Sequence, residues 1–585
     1  MKISRLFPFL TLLAAGAAGA AEISLDIAAP PQRRARLLPY RPGWAEAVSA
    51  DQGGGTIAGA LGSAAGTDLQ RRGSAGAQGD LSLRGSSFQQ ILILIDGMRM
   101  NDPQTAHHNL DLPLTAYDVE RADVLRGPYS SVYGPDAYAG AVNIRTRRPD
   151  KDRLSARLTL GEFSTWSALA SFDKKLKGFG QAVSVEKTSS GGYRPGTGHR
   201  SENLFSRSSL DLPWGELNLA LGCLDKDFGA SDFYGTVLSG ERERTITRFA
   251  ALSHKTSAGG LALEPKAYFR RHDDRFSYSY NSAKYANSHT TYVLGGELRA
   301  KKDLESYGAL SAGGEYSAEK IESGNIGRHG AYRAALFAQY SVSPAPGVEA
   351  DTSLRGDRHS AWGWQASPGL RLGFALAPGT KLWAAAGTSF RAPSFTELYY
   401  SDPANAGNAE LKPEKSASWE TGLDWSGEDF GLRAALFWRN ERDILDWTRT
   451  GNSGQWTANN IGKARVWGFE EALEVFVGDL RGTLQYSYVY KDTPARNYAS
   501  KYALRYARHK AGLGLSWAGL RLDLSAVRRV NEKGYVLADA EFRKKYGALE
   551  AAVGVTNLLN ASYEEIPGAG APGRWLKFSA GYRFI

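Results

Sequence analysis

Apolar and polar residues alternate along Leu154-Ser155-Ala156-Arg157-Leu158-Thr159-Leu160. Side chains of a β-strand point alternately to its two faces, so this stretch predicts a strand with one apolar and one polar face. The same alternation recurs at residues 217–223 and 520–526, and at 484–490 with tyrosines on one face. The chain after residue 150 is therefore predicted to be a long series of β-strands.

A soluble β-sandwich and a membrane barrel both show such alternation, so the pattern alone does not choose between them. Residues 151–585 suffice for about twenty strands of roughly 10 residues each, and no Pro/Ser-rich linker divides them. In a bilayer every backbone amide must be paired, so spanning strands must close into a barrel. Because the inner face of a barrel is polar, 42% hydrophobic residues are compatible with a mean hydropathy of −0.37.

The N-terminus indicates export. Met1-Lys2-Ile3-Ser4-Arg5 is a short basic region, residues 6–15 are apolar, and small residues at 18–21 suit a cleavage site. This order is typical of a secretory signal peptide and favours it over a buried helix. No later apolar run approaches the roughly 18 residues of a transmembrane helix. The protein is predicted to be exported without helical membrane spans.

Cysteine count, charge and missing motifs exclude other classes of protein. A single Cys rules out a disulfide framework and a multi-thiolate metal centre, and Cys223 is interpreted as a lipid-facing residue of its strand. The net charge of +10 does not predict a nucleic-acid partner, because the chain is exported. No GxxxxGK[ST], HExxH or GxSxG motif occurs, which predicts that the protein is not an enzyme.

Residues 40–150 differ from the rest and are predicted to form a separate globular unit. Ile91-Leu92-Ile93-Leu94-Ile95-Asp96-Gly97 is a continuous apolar run ended by a turn pair. Such a run is typical of a strand buried on both faces. A barrel wide enough for a channel has a lumen that such a unit can fill as a plug.

Seven blocks of the sequence resemble one family, the TonB-dependent outer-membrane receptors. The blocks are LSLRG from Leu81, ILILIDGMRMND from Ile91, VERADVLRGPYSSVYGPDAYAGAVNIRT from Val119, SFRAPSFTELY from Ser389, ELKPEKSASWETGLDW from Glu410, NIGKARVWGFE from Asn460 and VTNLLNASYEE from Val555. The resemblance implies an all-β transmembrane barrel of 22 antiparallel strands, with an N-terminal α+β plug domain filling the lumen. It further implies active import of a scarce nutrient across the outer membrane of a Gram-negative bacterium.

The same resemblance divides the chain into a signal peptide (1–21), a periplasmic tether (22–39), a plug (40–150) and a barrel (151–585). The tether carries a candidate TonB box, Ile23-Ser24-Leu25-Asp26-Ile27-Ala28-Ala29. TonB is expected to add a strand to this segment through backbone hydrogen bonds, so its sequence can vary. The box departs from the usual threonine and valine pattern, and a plain leader to the plug is the alternative.

A lock between plug and barrel is also implied by the resemblance. Its members are two plug arginines, Arg84 and Arg126, and two barrel glutamates, Glu420 and Glu470. A planar guanidinium bonds a carboxylate at two points, which gives a specific and reversible contact. The alternative is that each residue is an exposed surface charge.

The candidate ligand residues lie in a segment that corresponds to an outward-facing plug loop. They are Asn101, Asp102, Gln104, His107 and His108. Their side chains could bind a polar ligand or a metal within it, although adjacent histidines on an extended chain point in different directions. A purely structural role for this segment is the alternative.

Long hydrophilic stretches at residues 225–240, 277–291 and 401–412 are predicted to be external loops. In the first of them Asp225, Asp227 and Asp232 have a spacing that could gather Ca²⁺ through oxygen ligands. A solvated loop is the alternative. No cofactor is required for the predicted function, and Ca²⁺ is the one ion considered.

The cobalamin receptor branch is the part of the family that the sequence resembles most. A ferric siderophore or haem receptor of the same family is the first alternative, and a passive porin or an adhesin barrel is the alternative of another class. The expected partners are TonB with its inner-membrane energising complex, a small-molecule nutrient and outer-membrane lipid. The protein is expected to be a monomer.

Overall fold

The computed structural model describes residues 44–48, 56–74, 76–233, 239–280, 283–451, 454–494 and 496–584. The predicted signal peptide at 1–21 and the tether with its candidate TonB box at 22–39 lie outside the described residues. Within the described ranges no helix has the length and apolar character needed to cross a membrane.

The N-terminal part forms an α+β plug built from two small sheets. The strands are β1 (Trp44–Val48), β2 (Thr67–Arg72), β3 (Gln78–Leu83), β4 (Ile91–Ile95), β5 (Met98–Arg99), β6 (Val119–Arg126) and β7 (Gly140–Thr146). The helices are α1 (Ile57–Ser63) and α2 (Ser130–Tyr133). One sheet has five strands in the order β1-β6-β7-β4-β5, in which β4 and β7 run parallel, and β2 pairs with β3 in a hairpin.

Strand β4 is the centre of the plug, and all five of its residues are buried, which confirms the prediction of a doubly buried strand. Ile91, Ile93 and Ile95 belong to the main apolar cluster of the plug, whereas Leu92 and Leu94 belong to a second cluster on the opposite face. Burial of both faces is possible because wall residues such as Phe205, Phe249 and Tyr268 join the first cluster, and the plug segment with Tyr129 and Ala137 covers the second face. The strand ends at the predicted turn pair, where both residues have positive φ.

The remaining strands begin at Arg153, close to the predicted boundary at residue 151. A third helix, α3 (Phe395–Tyr399), follows the strand that ends at Arg391. The strands are β8 (Arg153–Gly161), β9 (Thr165–Leu176), β10 (Phe179–Ser190), β11 (His199–Leu212), β12 (Gly215–Gly229), β13 (Ser239–Ala258), β14 (Leu261–Tyr280), β15 (Ala283–Asp303), β16 (Ala309–Ser323), β17 (Gly327–Ala345), β18 (Val348–His359), β19 (Gly363–Ala377), β20 (Thr380–Arg391), β21 (Asn405–Ala406), β22 (Glu414–Ser426), β23 (Phe430–Arg442), β24 (Leu445–Thr450), β25 (Trp456–Asn460), β26 (Lys463–Val477), β27 (Leu480–Asp492), β28 (Tyr498–Ser500), β29 (Ala507–Trp517), β30 (Leu520–Arg529), β31 (Tyr535–Tyr546), β32 (Leu549–Thr556), β33 (Glu564–Ile566), β34 (Ala569–Gly570) and β35 (Trp575–Arg583).

In the described part of the chain, 22 of these strands form one closed antiparallel barrel, as the family resemblance implies. Strand β35 pairs with β8 and closes it. The strands outside the barrel form a four-stranded loop sheet, in the order β21-β25-β24-β28, and the hairpin of β33 and β34. Closure pairs the backbone of every spanning strand on both sides and leaves no exposed sheet edge.

The barrel wall alternates between an apolar outer face and a polar inner face. On β12, Leu219 and Leu221 point outward and are exposed, whereas the alternate residues Asn218 and Ala220 are buried toward the lumen. Cys223 follows on the outward face in a half-buried position, which agrees with its interpretation as a lipid-facing residue. The alternation that predicted strands from the sequence is therefore the alternation between lipid and lumen.

Two of the predicted external loops are wrong in their bounds. Strand β12 runs to Gly229 and so includes the first five residues of 225–240, whereas β14 and β15 occupy most of 277–291. The outer faces of these strands turn from apolar to charged near their ends, and this change removes the hydrophobic alternation from the sequence. The third predicted loop, 401–412, does lie outside the barrel wall and contains only the short strand β21.

Candidate functional site: the interface between plug and barrel

Arg84 is the centre of the predicted lock. Its Nη1 donates to Oε2 of Glu420 on β22 at 2.6 Å, and its Nη2 donates to Oε2 of Glu470 on β26 at 3.0 Å. The guanidinium also lies over the ring of Phe437, 4.5 Å from its centroid. Arg84 and the two glutamates are all buried. One plug cation thus joins two carboxylates of the barrel wall.

Arg126 is fully buried in the same place but holds a different partner. Its Nε donates to the carbonyl of Ala65 at 2.8 Å and lies 3.7 Å from Oε2 of Glu470. The structure therefore brings the four predicted lock residues together, with the two carboxylates shared mainly by Arg84. Arg126 adds positive charge beside Glu470 and holds the plug backbone next to it.

Two glycines let the glutamates reach the plug backbone. A Cβ on Gly66 would lie 1.8 Å from Oε1 of Glu470, and one on Gly127 would lie 2.4 Å from Oε1 of Glu420. Both glycines also have positive φ, a conformation that L side chains rarely adopt. The lock therefore depends on the absence of side chains at Gly66 and Gly127 as well as on the ion pairs.

A second ion pair between plug and wall was missed by the sequence reasoning. Arg529 of β30 donates through Nη2 to Oδ1 of Asp68 at 2.6 Å and through Nε to Oδ2 at 3.2 Å. Lys510 of β29 donates nearby to the carbonyls of Gly62 at 2.6 Å and Thr67 at 2.9 Å. The only signal in the sequence was a cation on the lumen face of a predicted strand, and such cations are common in barrels.

Burial alone would raise the pKa of the Asp68 carboxyl, because it disfavours the charged form. The charge of Arg529 and its hydrogen bonds outweigh this effect and lower the pKa below its usual value. The Asp68 carboxylate is therefore charged at neutral pH and contributes to the contact between plug and wall.

The predicted ligand segment also joins plug to wall. Asn101 accepts from the backbone N–H of Ile93 at 2.8 Å and so braces β4. Asp102 is paired with Arg270 of β14, and Gln104 donates through Nε2 to Oδ2 of Asp274 at 3.0 Å. Asn101 is half-buried, and the other four predicted residues are buried. Their contact with a nutrient stays a prediction.

The two adjacent histidines of this segment do point in different directions, although they lie in a 3₁₀ turn (Ala106–His108) rather than in extended chain. His107 has Nδ1 2.8 Å from Oδ1 of Asp80, and its ring is stacked on Phe88 and lies edge-on to the loop residue Tyr502, with centroids 5.7 Å apart. His108 faces the barrel wall, where Nε2 lies 3.5 Å from Oδ2 of Asp274. His108 therefore meets the wall, whereas His107 meets an external loop.

Their electrostatic surroundings separate the two imidazoles further. Burial lowers the pKa of His107, and the nearby Asp80 does not fully offset this effect. Burial acts in the same direction on His108, but the acceptors and negative charges around it, above all Asp274, raise its pKa to about 9. At neutral pH His108 therefore carries a positive charge against the acidic wall.

The three aspartates considered for Ca²⁺ are not brought together. Asp225 pairs with Arg244 and Asp227 pairs with Arg242, each at 2.7 Å. Asp232 pairs instead with Arg194, at 2.7 Å. Because each carboxylate already meets a guanidinium, the trio has the geometry of three separate ion pairs.

The blocks SFRAPSFTELY and ELKPEK meet in one buried triad. Arg391 donates through Nη1 to Oε2 of Glu397 at 2.9 Å, and its Nε contacts Glu414. The second oxygen of Glu414 accepts from the backbone N–H of Leu445 at 3.0 Å. Arg391 at the end of β20 thereby fixes both α3 and the start of β22.

Aromatic side chains of the external loops meet the plug near the predicted ligand segment. Phe88 of the plug packs edge-on against Tyr502, with ring centroids 5.3 Å apart. Lys501 lies 5.6 Å from the ring centroid of Trp456 and 5.9 Å from that of Trp447. This aromatic and basic loop cluster lies on the four-stranded loop sheet and beside it.

Comparison with known proteins agrees with this architecture. The family model described as TonB dependent receptor-like, beta-barrel matches residues 99–558, and the TonB-dependent receptor plug domain matches residues 45–141. The chain therefore belongs to the TonB-dependent receptor family, a family of receptors and transporters with a plugged barrel.

Individual relatives give further likenesses. The chain is 28% identical over 548 residues to the vitamin B12 transporter BtuB of Vibrio vulnificus strain YJ016, covering 86% of this chain and 85% of that protein. Its structure resembles the siderophore receptor PirA from Acinetobacter baumannii, with a TM-score of 0.76, 16% identity, and 92% and 98% of the two chains covered. It also resembles the ferric yersiniabactin uptake receptor FyuA from Yersinia pestis, with a TM-score of 0.76, 17% identity, and 93% and 98% covered. At these identities the structural likenesses show the fold alone.

Proposed function

We propose that this chain imports a scarce nutrient across the outer membrane of a Gram-negative bacterium, with energy that TonB relays from the inner membrane. The observation that carries the proposal is the bridge from Arg84 of the plug to Glu420 and Glu470 of the wall. A plug that moves on demand needs contacts that are specific and can be exchanged, and buried ion pairs meet both needs. A passive porin or an adhesin has no use for such a plug.

TonB is the proposed partner, and residues 23–29 are the proposed box. Deletion of residues 22–32 should abolish uptake while nutrient binding at the cell surface is retained. Because strand addition uses the backbone, Leu25→Pro should also abolish uptake, whereas Leu25→Ala should preserve it. Uptake that continues in the deletion variant, or in a strain without TonB, would contradict energised import.

The proposed cargo is cobalamin or a related corrinoid. The likeness to BtuB over most of the chain supports this choice. The aromatic loop cluster supports it as well, because tyrosine and tryptophan rings suit the large amphipathic surface of a corrin. We propose that no resident cofactor takes part and that Ca²⁺ acts at most on the external loops.

Titration of the purified receptor with cyanocobalamin, with and without Ca²⁺, tests the cargo. Saturable binding at low micromolar concentration is expected. Trp456→Ala should weaken it at least about tenfold, since truncation of an aromatic residue central to a contact costs about 1.4 kcal/mol or more. Trp214→Ala is the matched control, because Trp214 is exposed in the turn between β11 and β12 and should leave binding unchanged. Absence of binding would refute cobalamin while leaving the transporter proposal intact.

A ferric siderophore or haem is the second candidate cargo. The basic side chains among the loop aromatics favour it, since Arg449 lies 4.6 Å from the ring centroid of Trp456 and Lys501 lies close by. Cations of this kind suit a ligand with anionic groups. A panel of ferric siderophores and haem, titrated beside cyanocobalamin, separates the two candidates: the tighter saturable ligand identifies the cargo class.

A further inference from the structure

A buried cluster of five titratable residues lies where the plug meets strands β13 and β14. The plug contributes His108 and Asp111, and the wall contributes Glu243, His272 and Asp274. One ligand atom each from His108, Asp111 and His272 lies within 4.8 Å of the others, and the same holds for His108, Glu243 and Asp274. Both sets share the imidazole of His108. The cluster is separate from the lock around Arg84.

The orientation of His272 gives an independent indication of a ligand. Its side chain is fully buried, and its Nδ1 lies 2.8 Å from Oγ1 of Thr247. Its Nε2 has no hydrogen-bond partner among the described residues. The ring centroid lies 4.6 Å from that of His108. If Thr247 accepts from Nδ1–H, the lone pair of Nε2 is free to bind a cation. Metal-bound histidines commonly donate their other ring N–H to such a partner, which fixes the ring.

Two negative charges of the cluster have no fixed positive charge to balance them. Asp111, Glu243 and Asp274 are three carboxylates, and the ammonium of Lys226, 2.5 Å from Asp111, supplies one fixed positive charge. Arg270 of the same wall is already paired with Asp102. Two protons can balance the remaining charges, one on His108 and one on a carboxyl group. A single divalent cation balances them equally well.

The donor set and the spacing select the class of cation. Two imidazoles with carboxylates are typical ligands of Zn²⁺ and similar transition metals, whereas Ca²⁺ and Mg²⁺ prefer oxygen alone. Ligands at about 2.1 Å from a tetrahedral Zn²⁺ lie roughly 3.4 Å apart. His108 Nδ1 lies 4.0 Å from Oδ2 of Asp111, so a small inward movement of side chains brings Asp111 to ligand distance. The other ring nitrogen, Nε2, faces Asp274 at 3.5 Å and Glu243 at 3.8 Å. Because one imidazole offers one nitrogen to an ion, the ion lies beside Nδ1 with Asp111 and His272, and Asp274 orients the ring from its opposite edge.

We infer that this cluster is a binding site for a divalent transition metal ion of the Zn²⁺ class, with His108 of the plug and His272 of the barrel wall both as ligands. The bound ion bridges the two parts of the protein and replaces protons as the balancing charge. The bound metal ion therefore holds residues 101–111 of the plug against β14, independently of the nutrient and of TonB.

Metal binding to the full-length receptor tests the site directly. The purified protein is treated with EDTA, titrated with ZnCl₂ at neutral pH by calorimetry, and assayed for retained zinc. His108→Gln and His272→Gln should each weaken binding more than about tenfold, because even outer-shell partners of a metal contribute that much. His509→Gln is the control, since His509 lies on β29 and bonds Tyr486 outside the cluster.

Two further measurements guard against a folding defect in the variants. His272→Cys keeps a metal ligand and should retain Zn²⁺ binding where His272→Gln loses it. In the wild type, Zn²⁺ should slow amide hydrogen exchange in residues 101–111 and leave the segment around Arg84 unchanged. The inference is overturned if the wild type retains no stoichiometric zinc, or if both glutamine variants bind as the wild type does.

Discussion

Gly127 lies so close to Glu420 that a Cβ on this glycine would stand 2.4 Å from the Oε1 atom of the glutamate. The contact passes between a plug turn and strand β22 of the wall. The ion pairs alone therefore do not align the plug with the wall. The Glu420 carboxylate must also enter the space beside Gly127 that a larger side chain would fill.

Gly127→Ala should loosen the plug. The methyl group meets Glu420 and the backbone there has φ +108, so the carboxylate must move away from Arg84 or the turn must rearrange. Faster amide exchange in residues 119–140 is the expected result. Gly454→Ala is the control, because Gly454 has φ +106 and a Cβ on it meets nothing within 4 Å. Equal exchange in the two variants would show that the contact with Glu420 does not matter.

Arg84→Met should weaken plug docking by about 3–5 kcal/mol, because it leaves the buried Glu420 and Glu470 without their shared cation. The change is measured as the free energy of local opening of the plug by native-state hydrogen exchange. Arg148→Met provides the comparison, since its ion pair with Glu216 is solvent-exposed and is expected to contribute no more than about 1 kcal/mol. A loss for Arg84→Met no greater than for Arg148→Met would refute the role of the lock.

Acid should release the plug in part through Asp68. The pKa of this carboxyl is lower in the folded state than its unfolded value of about 3.9. Its contribution is therefore fully present above the unfolded pKa and is lost as the pH falls through the folded one. Protease sensitivity of the plug should rise below about pH 4, and more gently in Asp68→Asn. Asp150→Asn alters an exposed carboxyl and should reproduce the wild-type profile; a wild-type profile in Asp68→Asn would exclude this group.

A spin label attached to Cys223, the single cysteine, should report a lipid environment. The outward-facing Leu219 and Leu221 precede it on β12 and are exposed in the isolated chain. In a reconstituted bilayer the label should collide readily with O₂ and rarely with a water-soluble nickel chelate. The reference is a label at Asp150→Cys with Cys223→Ser, where the opposite preference is expected. Equal chelate access at both positions would place this part of β12 outside the bilayer.

Local pattern was sufficient to predict much of the architecture. The alternation at residues 154–160 and the unbroken apolar run at 91–95 depend only on which side of a strand meets lipid, water or core. Both became strands as predicted. The resemblance to a family was needed to bring Arg84 together with Glu420 and Glu470, because no local signal links positions so far apart.

Contacts between plug and wall residues could not be predicted from the sequence. The ion pair between Asp68 and Arg529, and the approach of His272 to His108, depend on the register of strands that pair only after the barrel closes. The outward side chains near the ends of β12 and β14 are charged, as Asp225 and Asp273 are, so these strand ends lack the apolar outer face by which the other strands are predicted. Asp225 and Asp227 were consequently placed in a loop.

The bridge made by Arg84 also bears on the order of assembly. Its two carboxylate partners lie 336 and 386 residues later in the chain. Until β22 and β26 have been delivered and paired, the arginine has no counter-charge, and closing so long a loop carries a large entropic cost. The plug, although it is synthesised before the barrel, therefore docks only after the strands that carry its partners have paired, among the last steps of biogenesis.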